Sequence, residues 1–279
     1  MGFKTSEKKQ IFFKKRLVLI KLGGSLITDK KKPFTAKMEI ITDLARQIEE
    51  ALNEDKNLSL IIGNGGGSFP HYPAVKYQMN GGIKNEEQKF GFCAVQDAAA
   101  QLNRIIVSRL LKVGVKACSI NPSSMIIAEN DKIKKFFTQP IIEMIKLGIV
   151  PVLYGDIIID KKLGAKIFST ERLLTELALR FKKSKIKVDM VIHNGLTKGV
   201  LDRNGNLIEL INKKIFKTFE KIFYQTKGYD VTGGMSHKVK ECLNLSRYKI
   251  KSLIINGTSK ENLLKEAILG NKVSGTIIE

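Results

Sequence analysis

Apolar residues follow two rhythms along this chain. Short, near-continuous apolar runs, at Leu17–Lys21, Leu58–Ile62, Val115–Ile120, Ile149–Tyr154, Val188–His193, Ser252–Ile255 and Val273–Ile278, are those of strands buried on both faces. Between them, apolar positions recur every three or four residues. Met38–Leu52 carries Ile40, Ile41, Leu44, Ala45, Ile48 and Leu52 on one helical face. Phe90–Val113 does the same with Phe92, Val95, Ala99, Leu102, Ile106, Leu110 and Val113. Pro140–Leu147, Thr170–Phe181 (with Ser169 as N-cap) and Lys260–Leu269 read as further helices. Met125–Phe137 reads as a hairpin turning at Glu129–Asp131, Ile157–Phe168 as a ribbon around Lys161–Gly164, and Asp202–Gly205 as a hairpin turn. Strand, glycine-rich turn, helix, strand is the order of parallel βαβ units with right-handed crossovers. The pattern predicts an α/β fold: a three-layer αβα sandwich with a mainly parallel central sheet.

Three glycine turns punctuate this pattern, each at a strand end or helix start: Gly23-Gly24, Gly65-Gly66-Gly67 and Gly233-Gly234. Without a Cβ, successive amides can converge on one point and be approached closely. A helix starting near Tyr72 would add its N-terminal partial charge. A phosphate is the simplest ligand for such a concavity, and His71 stands four residues after Gly67 to supply a side-chain donor. The plain alternative is a flexible loop followed by an unrelated histidine.

Composition narrows the chemistry. At 279 residues the chain can form one large α/β unit or two modest lobes. No apolar run approaches the ~18 residues that span a bilayer. The first 16 residues are a basic tail lacking the apolar centre of a secretory signal, and Met1–Ser6 matches the permissive myristoylation pattern. Three scattered cysteines and three scattered histidines argue for a reducing, cytoplasmic setting without a disulfide framework or metal cluster. The net charge of +21 favours anionic partners, but the lysines are spread along the chain and no nucleic-acid motif accompanies them.

A P-loop is excluded because the chain contains no Gly-Lys dipeptide, and neither early glycine turn spells the dinucleotide fingerprint GxGxxG. Lysines stand near the first and third turns, at Lys21, Lys30 and Lys238. Each alone reads as a solvated surface charge. Beside glycine turns they fit phosphoryl transfer, which needs two phosphates held in line and cations on the group in flight.

Lys21-Leu22-Gly23-Gly24-Ser25, Gly65-Gly66-Gly67-Ser68-Phe69, Pro151–Asp156, Asp230–Met235 with Lys238, and Gly275-Thr276 together resemble the amino acid kinase family over nearly the whole chain. Within it, His71 after the GGGSF segment and Thr28-Asp29-Lys30 are most similar to the isopentenyl phosphate kinase branch, which uses ATP to phosphorylate isopentenyl phosphate. The resemblance implies an acceptor lobe over residues 17–165 and a nucleotide lobe over residues 166–279, sharing one sheet. It implies that Lys21, Leu22, Gly23, Gly24 and Ser25 contact ATP, with Gly67, Glu171, Gly233, Gly234 and Lys238. It further implies that Lys30 and Lys238 stabilise the transferred phosphoryl, that Gly66, Gly67, His71 and Gly155 hold the acceptor, and that Asp156 orients lysines or backbone donors. Mg²⁺ would arrive on the nucleotide phosphates, the acceptor would be a small phosphate monoester, and the assembly would be a homodimer. Phe92, Val95, Ala99 and Ile106 are candidates for setting acceptor length, or else plain core.

Four departures from the family pattern stand out. Asn64 replaces a histidine before the glycines, Pro70 replaces a glycine before His71, Ser169-Thr170-Glu171 replaces Ser-Gly-Asp, and Leu196-Thr197-Lys198-Gly199-Val200 lacks both acids of Asp-x-Asp-Gly-Val. Ser169-Thr170-Glu171 is also similar to fosfomycin kinases. The missing acids leave open a catalytically weakened nucleotide-binding regulator.

Overall fold

A computed structural model of the protein describes residues 15–202, 204–215, 233–258 and 261–279. The basic tail up to residue 14 and the Asp230–Thr232 part of the third glycine segment lie outside the described residues. In chain order the strands are β1 (Arg16–Leu22), β2 (Leu58–Asn64), β3 (Ala117–Ser119), β4 (Ile126–Glu129), β5 (Lys132–Phe136), β6 (Val150–Tyr154) and β7 (Asp156–Asp160). They continue with β8 (Gly164–Phe168), β9 (Met190–Gly195), β10 (Val200–Leu201), β11 (Leu207–Ile208), β12 (Leu210–Ile211), β13 (Lys251–Asn256) and β14 (Thr276–Ile278). Eight of them form one sheet in the order β12-β14-β13-β9-β1-β2-β6-β3. Every pairing in it is parallel except β13 with β14. The sheet therefore runs without a break through both halves of the chain.

Both faces of the sheet are covered, which explains the continuous apolar runs. Along β1, Val18, Ile20 and Leu22 face a core shared with α2 (Met38–Glu54), α4 (Glu86–Lys112) and α8 (Leu263–Leu269). Leu17 and Leu19 face the opposite core, with α5 (Gln139–Lys146), α6 (Thr170–Lys183) and Leu245 of α7 (Gly233–Ser246). Residues 17 to 20 are fully buried. At about 1.5–3 kcal/mol for each fully buried aliphatic side chain, alternation within an all-apolar strand is what drives three-layer packing. The αβα prediction holds.

Element boundaries moved where caps and turns decide them. The helix expected from Phe90 begins at Glu86, because the Asn85 side chain accepts a hydrogen bond from the Gln88 amide at 2.9 Å. Its predicted inner face is buried at Val95, Ala99, Leu102, Ile106 and Leu110. The helix expected near Tyr72 begins at Ser68 as α3 (Ser68–Lys76), directly after Gly67. Val115–Ile120 shortens to β3, Val273–Ile278 to β14, and Lys260–Leu269 to α8, with residues 259 and 260 outside the described set. The two-residue strand β12 was not anticipated; so short a run has no periodicity to read.

A second, four-stranded sheet, β5-β4-β7-β8, contains both expected ribbons. Asp160 ties them together by accepting amides from Asn130, Asp131, Lys162 and Leu163. Arg172 of α6 donates to Asp131 Oδ1 at 2.6 Å, and the Ser169 hydroxyl caps the same helix by accepting the Arg172 amide at 3.3 Å. These contacts fix the start of α6, and Glu171 with it. The Asp202 turn is also as expected: β10 and β11 pair antiparallel, and the Asp202 amide donates to the Asn206 carbonyl at 2.8 Å.

Candidate active site

The carboxyl ends of β1, β2 and β9 lie side by side at the centre of the sheet, where chain order reverses and open α/β sheets place ligands. Two glycine turns leave these ends, and they pack backbone to backbone. The first continues into α1 (Gly24–Ile27). A Cβ on Gly24 would lie 2.4 Å from the Gly67 nitrogen, and one on Gly65 would lie 2.7 Å from the Gly24 nitrogen. Gly67 has φ +55°. Only glycine permits this approach and this φ. Buried Thr28 clamps the two turns: its hydroxyl donates to the Gly24 carbonyl at 2.7 Å and accepts the Ser68 amide at 3.0 Å. Among the described residues, the amides of Gly24, Ser25, Gly66 and Gly67 find no protein acceptor. Four amides without protein acceptors in two opposed turns form a cradle for anionic oxygens.

Pro70 fits this cradle without strain. It sits in the first turn of α3, where its missing N–H would have no intrahelical partner. Its ring occupies the space a Cβ on Gly66 would need, the nearest atom being 2.2 Å from that position.

Lys21 and His193 are register partners on β1 and β9, so both side chains project to the α6–α7 side. Lys21 is 8 % exposed and forms a close ion pair with Glu171 at the start of α6. Burial works to raise the Glu171 pKa, but the Lys21 charge and hydrogen bond outweigh it and hold the carboxyl at about 2. Lys238 of α7 reaches the same place, its Nζ 3.8 Å from where a Gly195 Cβ would stand. His193 is buried at the centre of this group, and burial, then Lys238 and Lys21, push its pKa down to about 3.

Beyond the cradle, Ser68 leads into an open cavity of about 380 Å³ beside α3. Lys30, Lys31, His71 and Lys76 line it, with Pro33, Tyr72 and Val75 as its apolar part. No acidic side chain lines it. Phe34 packs edge-on against Phe69 at 5.5 Å and Tyr72 at 6.1 Å, which anchors the lysine loop to the helix that carries His71.

A model of the amino acid kinase family matches residues 16–256. The chain belongs to that family. It is similar to isopentenyl phosphate kinase of Methanocaldococcus jannaschii, 34 % identical over 94 % of this chain and 98 % of that one. It is likewise similar to isopentenyl phosphate kinase of Methanothermobacter thermautotrophicus, 31 % identical over 94 % of this chain and 98 % of the relative. An X-ray structure of an isopentenyl phosphate kinase superposes with a TM-score of 0.78 at 29 % identity, covering 94 % of this chain and all of the other. This amino acid kinase is thus a phosphotransferase by family.

The expected site residues separate into groups. Lys21, Glu171 and Lys238 come together; Gly24, Ser25, Gly66 and Gly67 form the cradle, Gly23 precedes it with its amide donated to the Asn194 carbonyl at 2.8 Å, and Leu22 is buried beneath it. Gly233 and Gly234 open α7, the helix that carries Lys238. Lys30 lies with His71 at the cavity rather than with Lys21. The Gly155 amide is committed to the Asn64 carbonyl at 3.0 Å, so it is not free to donate to an acceptor phosphate. Asp156 engages backbone donors, the amides of Ser123 at 3.0 Å and Ile157 at 2.8 Å. Burial pushes its pKa up to about 6 against those bonds. Val95, Ala99 and Ile106 are buried, and Phe92 is partly buried against a smaller cluster formed by Val95, Ala74, Met79, Ile157 and Ala165.

The sequence marks Asn64 and Thr28 as motif positions without showing what they contact, and it does not single out His193 for the site. Asn64 turns inward, its Oδ1 accepting from Asn103 at 2.9 Å, while the Ser119 hydroxyl donates to Asn103 Oδ1 at 2.6 Å. Thr28 joins the glycine turns, and His193 sits under the ion pair. The available signal was the same for Asn64 and His193: a polar residue closing an otherwise apolar strand.

Proposed function

We propose that this amino acid kinase transfers the γ-phosphoryl group of ATP to isopentenyl phosphate, yielding isopentenyl diphosphate and ADP. The observation that carries this reading is the pairing of an amide cradle beside Lys21 and Lys238 with an acid-free cavity that joins His71 and Lys30 to apolar Tyr72 and Val75. An anionic head with a short hydrocarbon tail matches that lining, and the similarity to isopentenyl phosphate kinases supports the same substrate.

In this reading the nucleotide phosphates lie on the amides of Gly24, Ser25 and Gly67, with Lys21 and Lys238 nearby, and bring Mg²⁺ with them. The acceptor phosphate lies against His71 and Lys30. One of its oxygens forms a bond to the γ-phosphorus as the bond from that phosphorus to the βγ-bridging oxygen breaks. The bridging oxygen's electron pair leaves with ADP. The acceptor is already an anion, so no general base is required; alignment and charge neutralisation carry the catalysis. Glu171 holds Lys21 in place beside the cradle. The enzyme works in the cytoplasm as a homodimer.

A coupled ADP-release assay tests the reading with isopentenyl phosphate, fosfomycin and no acceptor. The expected result is release dependent on isopentenyl phosphate. Turnover with fosfomycin alone would assign the cavity to a phosphonate, and no stimulation by either acceptor would make the protein a nucleotide-binding regulator. His71→Ala is expected to raise the KM for isopentenyl phosphate at least tenfold and leave the KM for ATP within about twofold, as loss of a charge-assisted contact predicts.

A further inference from the structure

One buried group in the site is not used by phosphoryl transfer. His193 is 1 % exposed, and neither Nδ1 nor Nε2 has a hydrogen-bond partner. The ring is neutral, so it offers one N–H donor and one acceptor nitrogen. Burying both unpaired is unfavourable, and an apolar side chain of similar volume would avoid it. The groups acting on the ring are Lys21 of β1, Glu171 of α6 and Lys238 of α7; on the next strand its register partner is Ile254.

Glu171 has the complementary difficulty. Its side chain is largely but not fully shielded from solvent, and the Lys21 ammonium is the cation that keeps it charged. If a nucleotide phosphate attracts that ammonium, the carboxylate loses its partner inside the protein, a strongly unfavourable arrangement. His193, the register partner of Lys21 and close enough to act electrostatically on Glu171, is a donor that could remove the penalty.

We propose that His193 is a positioning residue that donates its ring N–H to the Glu171 carboxylate when bound nucleotide draws the Lys21 ammonium forward. In the free protein Glu171 belongs to Lys21 and the imidazole is unpaired. In the nucleotide complex Glu171 belongs to His193, and Lys21 is released to the phosphates. No proton changes owner. The device rests on the assignment of Lys21 to the nucleotide phosphates made above.

The test measures ATP dissociation constants by calorimetry, and both KM values, for the wild type, His193→Phe, His193→Gln, Glu171→Gln and the Phe/Gln double variant. His193→Phe keeps the volume and removes the donor. It is expected to weaken ATP binding about tenfold while the acceptor KM stays within twofold. His193→Gln, a neutral side chain with a donor, recovers most of that loss. In the Glu171→Gln background the Phe substitution has little further effect, because an uncharged amide is not stranded by the departure of Lys21. Three results would overturn the proposal: wild-type ATP affinity in His193→Phe, an equal loss in the Glu171→Gln background, or a parallel rise of both KM values. If His193→Phe does not fold, His193→Met carries the same expectations. Failure of the wild type to bind ATP, or unchanged affinity in Lys21→Ala, would instead remove the nucleotide assignment itself.

Discussion

Replacing Gly24 by alanine should cut turnover sharply while leaving the protein folded. The added Cβ would sit 2.4 Å from the Gly67 nitrogen and 2.8 Å from its Cα, whereas ordinary contacts begin near 3.4 Å. Both obstructing atoms are backbone, so no rotamer change relieves the clash. The two turns must separate by about 1 Å, and the four amides of the cradle diverge with them. A misplacement of that size can cost about 100-fold in rate, equivalent to about 2.7 kcal/mol of transition-state stabilisation. Overpacking of this kind destabilises a fold by about 1–3 kcal/mol, which for a chain of this size lowers the melting temperature by roughly 2–10 °C. The assay is coupled ADP release at saturating ATP and isopentenyl phosphate, beside a thermal melt. Gly114→Ala is the control: its φ is +94°, but nothing lies within 4 Å of the new Cβ. Backbone strain alone should lower its stability by about 1–2 kcal/mol and leave kcat intact. If Gly24→Ala retained kcat within threefold of wild type, the packed turns would not be what aligns the phosphates.

Lys238→Ala should lower kcat by about two orders of magnitude or more with little change in the acceptor KM, since a preorganised cation acts on charge in flight; steady-state kinetics at varied acceptor decide it. Asp156 makes a pH prediction. Its folded pKa of about 6 exceeds the ordinary 3.8, so between those values the folded protein binds more protons than the unfolded chain. Stability therefore falls as pH rises through that window, by at most about 3 kcal/mol. Asp156→Asn should flatten this slope in urea titrations at pH 4 and pH 7, and parallel curves for the two proteins would contradict it.

How much of this was legible beforehand depends on the range of the interaction involved. Leu17–Lys21 and Leu58–Ile62 announced central strands because a strand buried on both faces is nearly all apolar, and Ser169 announced the start of α6 because capping is local. Hydrophobic rhythm therefore determined the layers, and the glycine turns marked their ligand-binding edge. Asn85 extended α4 by a turn that its apolar spacing did not show, since the cap lies outside the periodic stretch.

What the tertiary structure decided was which groups meet. Lys21 and Glu171 are 150 positions apart, and Thr28 joins Gly24 to Ser68 across 40. Chain order carries no trace of such pairs; only strand register and helix placement create them. The same holds for Lys30, which joins His71 through the aromatic packing of Phe34, and for His193, which becomes an unpaired group only once α6 and α7 have closed over it. A sequence records which side chains are available, and burial determines which of them lack a partner.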